Sequence, residues 1–137
     1  ILLDAGAVVD SKNEDEQTPL HLAADGGKLR IIQELVGRKR EIVHDDDENG
    51  NTALHLAALS GRVQCVRELV RLGASIEARN AKQWTPLDCC ASAGMYKSAT
   101  VLLEADSPVD PKDKRKITPL HLACQQGHQV MVDVLIK

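Results

Sequence analysis

Thr18-Pro19-Leu20-His21-Leu22-Ala23-Ala24 decides the reading of this chain, because the same string comes back three times. It returns as Thr52-Ala53-Leu54-His55-Leu56-Ala57-Ala58, as Thr85-Pro86-Leu87-Asp88-Cys89-Cys90-Ala91 and as Thr118-Pro119-Leu120-His121-Leu122-Ala123-Cys124. The Thr positions are 34, 33 and 33 residues apart. Nine residues after each Thr stands a glycine: Gly27, Gly61, Gly94 and Gly127. A mostly apolar pair follows at offsets thirteen and fourteen: Ile31-Ile32, Cys65-Val66, Ser98-Ala99 and Met131-Val132. A second follows at seventeen and eighteen: Leu35-Val36, Leu69-Val70, Leu102-Leu103 and Leu135-Ile136. A period in this range is the mark of a stacked repeat array.

Local physics turns each copy into helix, turn, helix and an extended link. Thr caps orphan amides at a helix start, and Pro suits the first helical position. The first helix of the first copy is expected over about residues 19–25. The glycine at offset nine ends it, since a left-handed residue is cheap only for Gly. The second helix is expected over 29–38, where apolar residues recur at helical spacing. In the second copy Gly73 ends that helix. Asp, Asn and Lys in the links suit turns.

Composition agrees and narrows the function. The chain has 137 residues, 43% apolar and 27% charged, with one Trp, one Tyr and no Phe. Thin layers of Leu, Val, Ile and Ala explain the missing rings. No apolar run nears the ~20 residues of a membrane span, and no leader peptide is read at the start. The pI near 5.9 argues against nucleic acid. Residues 1–68 carry 13 acids and 8 bases, and residues 69–137 carry 7 acids and 9 bases, so charge runs from negative to positive along the chain. Cys65, Cys89, Cys90 and Cys124 form no C-x-x-C pair, and reduced, buried thiols in a cytosolic protein are expected.

The repeated string and period resemble the ankyrin repeat family, with its T-P-L-H-x-A signature, over essentially the whole chain. The resemblance implies an all-α solenoid of helix-turn-helix units joined by β-hairpin-like fingers. It implies the end of one repeat at 1–17, repeats at 18–51, 52–84 and 85–117, and an incomplete repeat at 118–137. Without polar capping repeats, the chain is read as part of a longer array, with marginal stability or end-to-end association when isolated. The family prefers Gly two residues before the Thr. Gly50 obeys, whereas Glu16, Gln83 and Lys116 stand in the other copies. Repeat one is a residue longer, so residues 38–49 are expected to be irregular. Repeat three replaces the motif His with Asp88 and the turn Gly with Asp106.

No catalytic constellation, P-loop or cofactor motif is present, so the reading is non-enzymatic with no cofactor or metal. His21, His55 and His121 share one slot. Equivalent slots lie about 10 Å apart, too far for joint ligation at metal–nitrogen distances of about 2.0–2.1 Å. The resemblance gives these histidines a structural role instead, tying the helix start to the neighbouring repeat. His44 and His128 are expected to be exposed. The run Asp45-Asp46-Asp47-Glu48-Asn49-Gly50 opens like a calcium loop, but Leu56 stands where the bidentate Glu belongs, and a solvated finger is preferred. Lys112, Lys114, Arg115 and Lys116 read as a solvated fingertip, with a phosphate or headgroup site as the alternative. For Cys89 and Cys90, packed thiols are preferred over a reactive helix-start thiol.

What remains is a recognition surface. In ankyrin repeats, fingertips and exposed first-helix residues hold protein partners. By position these are Glu14, Asp15 and Gln17; Glu48, Asn49 and Asn51; Lys82 and Trp84; and Lys114, Arg115 and Ile117. On the first helices they are Asp25, Leu59, Gln125 and Gln126. The partner is another protein, beside the neighbouring repeats of the parent chain, with no nucleic acid and no membrane insertion. Trp84 has two readings, a binding hot spot or a plug between neighbouring fingers. A second functional reading is a mechanical spacer in the cytosolic part of a cation channel. The stretches Trp84-Thr85-Pro86-Leu87-Asp88-Cys89-Cys90 and Asp106-Ser107-Pro108-Val109-Asp110-Pro111 are similar to transient-receptor-potential A-type channels.

Overall fold

The computed structural model describes residues 11–105 and 119–136. Helices follow in pairs: α1 (Pro19–Gly26) with α2 (Leu29–Arg38), α3 (Ala53–Leu59) with α4 (Val63–Arg71), α5 (Pro86–Ala93) with α6 (Tyr96–Glu104), and α7 (Pro119–Gln126) with α8 (Gln129–Ile136). First helices stack on first helices, α1 on α3 on α5 on α7, and second helices stack as α2, α4, α6 and α8. Among the described residues there is no strand.

α1, α3 and α5 start by the same device. The hydroxyls of Thr18 and Thr52 accept the amides of His21 and His55, and each His side chain reaches back to the Thr amide, closing a capping box. At Thr85 the box is kept by Asp88, whose Oδ2 accepts the Thr85 amide at 2.9 Å. Gly27 and Gly94 end α1 and α5 with φ of 72° and 74°. The small residues behind the caps let the helices close up. Ala24, Ala58 and Ala91 are fully buried beside Leu20, Leu54 and Leu87. Ile32, Leu35, Val36, Val66, Leu69, Ala99 and Leu102 complete the layers from the second helices. Leu120, Val130 and Ile136 of the last pair stay exposed, with no further described layer against them.

Two expectations change. The stretch after α2 is not merely irregular: Arg40–His44 form a 3-10 turn that buries Ile42 and Val43 in the core. His128 is not exposed but half-buried, and its Nε2–H donates to the Ser92 carbonyl at 3.1 Å. His44 is exposed as expected. His128 also reveals a repeated contact. The residue after each turn glycine lies across the glycine of the preceding repeat: Arg62 on Gly27, Met95 on Gly61 and His128 on Gly94. A Cβ on Gly94 would come within 2.7 Å of the His128 ring.

The residues two before Thr18, Thr52 and Thr85 sit in the left-handed region. Gly50 does so freely at φ 73°, but Glu16 and Gln83 are held there at 60° and 67°. A side chain in that region costs about 1–2 kcal/mol, partly offset by the greater freedom of Gly in the unfolded chain. Gln83→Gly is therefore expected to stabilise the protein by about 0.5–1 kcal/mol in urea unfolding. A loss of stability would remove this account of the strain.

Candidate partner-binding surface

The fingers are built by one residue type at one slot. Five residues before each Thr stands Asn13, Asp47 or Asn80, and its Oδ1 accepts two amides across the tip. Asn13 takes Asp15 and Gln17, both at 2.9 Å. Asp47 takes Asn49 and Asn51, both at 2.9 Å. Asn80 takes Lys82 at 2.9 Å and Trp84 at 3.1 Å. Main-chain bonds from Asn13, Asp47 and Asn80 to the carbonyls of Gln17, Asn51 and Trp84 close the loops. The Asp47 carboxylate is thus a turn cap, which gives the acidic run a structural task. Sequence periodicity carried the signal: Asp113 holds the same slot in the fourth copy, outside the described residues.

Neighbouring fingers are stitched together. The Glu48 amide donates to the Asp15 carbonyl at 3.1 Å, and the Ala81 amide to the Asn49 carbonyl at 2.9 Å. His21 donates from Nε2 to the Asn51 carbonyl at 2.8 Å, and His55 to the Trp84 carbonyl at 2.9 Å. Their Nδ1 atoms accept the amides of Thr18 and Thr52 at 3.0 and 3.1 Å. These are the ties between a helix start and the next repeat that the family resemblance implies. His121 is described, but the finger after Asp88, residues 106–118, lies outside the described residues.

His55 must be neutral at Nδ1 to accept the Thr52 amide. Burial holds its pKa below the ordinary value, and the bond to the Trp84 carbonyl opposes that only in part. The folded state then binds fewer protons than the unfolded state. The contribution is complete above the unfolded value of about 6.5 and is lost as pH falls from there through the lowered folded value. Unfolding free energy is expected to drop between pH 7.5 and 5.5, and to drop less in His55→Gln. Equal slopes would contradict it.

Of the expected contact residues, Glu14, Asp15, Glu48, Asn49 and Lys82 are exposed at the tips. Gln17 is half-buried and its Oε1 accepts the Asn13 amide group at 3.3 Å. Asn51 is buried, not at the surface: its Oδ1 accepts the Asn80 side chain at 2.8 Å, so it joins two fingers. On the first helices Asp25 and Gln125 are exposed. The Asp25 carboxylate takes the Ser60 hydroxyl at 2.5 Å, and Leu59 packs partly into the core. Lys114, Arg115 and Ile117 fall outside the described residues, as does the side chain of Gln126.

Trp84 is half-buried and packs against the core, with its indole N–H buried and unpartnered. The Lys82 ammonium lies 4.8 Å from the ring centroid, within cation–π reach.

Cys65, Cys89 and Cys90 are not activated. Burial, and then the Asp88 charge, push the Cys89 thiol up to about 12, and burial raises Cys90 and Cys65 as well. The Cys90 thiol points at the Ala58 carbonyl, 3.9 Å away. Cys124 is exposed.

Comparison with known proteins agrees with this architecture. A family model described as ankyrin repeats (3 copies) matches residues 1–80 and 44–113, and one described as ankyrin repeat matches 115–137. The chain belongs to the ankyrin repeat family. It is 35% identical over 136 residues to the transient receptor potential cation channel subfamily A member 1 homolog of Caenorhabditis elegans, covering 99% of this chain and 11% of the relative. It is 32% identical over 144 residues to the transient receptor potential cation channel subfamily A member 1 of Homo sapiens, covering 100% of this chain and 13% of the relative. It is 39% identical over 64 residues to the NF-kappa-B inhibitor alpha of Sus scrofa, covering 47% of this chain and 20% of the relative. The chain therefore spans only a small part of each of these proteins. Ankyrin repeats generally mediate protein–protein interaction, and these relatives are channels and an inhibitor rather than enzymes. Among the described residues no helix is long and apolar enough to cross a membrane.

Proposed function

We propose that this chain is a non-enzymatic recognition module of a longer, cytosolic ankyrin array. It holds a protein partner through its fingertips and the exposed residues of its first helices. The observation that supports this is the construction of the fingers. Three Asx-capped tips, hydrogen-bonded to each other and anchored by buried histidines, present Glu14, Asp15, Glu48, Asn49 and Lys82 on a rigid frame. Rigid presentation lowers the ordering cost of binding. The acidic tips come first and Lys82 later, so a partner with the opposite polarity is oriented along the row. Lys114, Arg115, Ile117, Gln125 and Gln126 extend the proposed row by position.

A photo-crosslinking residue at Glu48 in the intact parent protein tests this. It is expected to capture a partner that the same residue at Gln64, exposed on α4, does not. Equal capture from both positions would overturn the assignment. Trp84→Ala, with the fold intact, is expected to weaken the captured complex at least tenfold, the scale of a hot-spot truncation.

The match to two channel relatives over nearly the full chain favours a second reading, a structural spacer in the cytosolic region of a cation channel. Six membrane-spanning segments elsewhere in the parent protein would support it. A parent with a kinase, DNA-binding or ligase domain instead would favour the scaffold.

A further inference from the structure

The back of the stack carries a cavity that the fingers do not use. It lies between α2 with its 3-10 extension and α4, has a volume of about 370 Å³, and is lined by Gln33, Val36, Gly37, Arg40, Glu68, Arg71 and Leu72. That volume is within the range of small-molecule sites. Its origin is a local departure from the repeat. Nineteen residues after its Thr, the second copy has Arg71 and the third has Glu104, whereas the first has Gly37. A Cβ on Gly37 would meet nothing within 4 Å. Packing therefore does not require Gly here, and Gly inside a helix costs stability. The missing side chain leaves one wall open, and the extra turn at Arg40–His44 carries Arg40 to its edge.

The polar wall is organised. Glu68 accepts from Arg71 Nε at 3.0 Å and from Arg71 Nη2, and from Gln33 Nε2 at 3.4 Å. Glu68 thus fixes the plane of the Arg71 guanidinium and leaves its Nη1 edge unused by that pair. Arg40 and Arg71 both line the cavity beside Glu68, and the half-buried Leu72 contributes apolar surface. Arginine forks match phosphate geometry.

We propose that this cavity binds a small soluble phosphate monoester, its phosphate held by Arg40 and Arg71 and its organic part laid against Leu72. The site is separate from the fingertip surface and independent of it.

Phenyl phosphate is the probe, titrated calorimetrically into the whole chain beside inorganic phosphate, phenol and vesicles of phosphatidylcholine with phosphatidic acid. Saturable binding of phenyl phosphate is expected, at least tenfold tighter than either half alone. Arg40→Gln is expected to weaken it at least tenfold, and Gly37→Leu, which fills the open wall, to abolish it. Gly37→Ala serves as the folding control and is expected to raise the melting temperature while retaining binding. No saturation up to about 10 mM, binding indifferent to both Arg40→Gln and Gly37→Leu, or binding to the vesicles alone would overturn the proposal.

Discussion

Leu54→Ala is expected to cost about 3–4 kcal/mol, a large share of the roughly 5–15 kcal/mol that holds a domain together. Leu54 is fully buried in α3, and α3 packs on α1, α4 and α5. Truncation there opens a cavity between two layers at once. In a solenoid each layer is stabilised by its neighbours alone. The loss should therefore also uncouple the two halves and broaden the urea transition. The equivalent change Leu120→Ala, at a position 37% exposed, removes contacts on one side only and is expected to cost less than half as much. Equal losses at the two sites, measured by urea unfolding, would contradict the layered account.

His55→Ala should cost about 3 kcal/mol, because it leaves a buried amide on Thr52 without its acceptor and removes one of the two donors to the Trp84 carbonyl, which keeps the Asn80 amide. The protein supplies its own comparison. Asp88 holds the third slot and still accepts the Thr85 amide. His55→Asp is thus expected to keep the cap, lose the tie to the next finger, and fall between wild type and alanine. Hydrogen exchange distinguishes the two functions. The Ala81 amide, bonded to the Asn49 carbonyl between fingers, should exchange faster in both variants. The His55 amide, received by the Thr52 hydroxyl, should be disturbed more by alanine than by aspartate.

Much of this architecture is legible in the chain because it is written four times. Thr, Leu, Gly and the apolar pairs recur at fixed offsets, and the expected span of the second helix, 29–38, matches α2. Features written once are harder to read. Ile42 shares its offset of twenty-four with Ile76 and Val109, but the extra residue of repeat one blurs the register, and a 3-10 turn that buries both Ile42 and Val43 occurs, among the described residues, in that repeat alone. Asn51 looks like a fingertip by position, but its neighbour Asn80 arrives from another repeat and buries it. His128 looks like a surface residue after a turn until the glycine it covers is seen to belong to the preceding repeat. For Asn51 and His128 the deciding contact joins residues about thirty apart, beyond the reach of local patterns.

The long histidine bonds end on carbonyl oxygens, those of Asn51 and Trp84. A carbonyl is common to all twenty amino acids, so the bond does not test which side chain stands there. Substitutions at the exposed tip residues leave these bonds in place, while the slot must keep an Nε2 donor to make them. Duplicating such a unit yields a copy that already fits its neighbour, whatever its finger displays. The frame can thus be inherited while the message on it is rewritten.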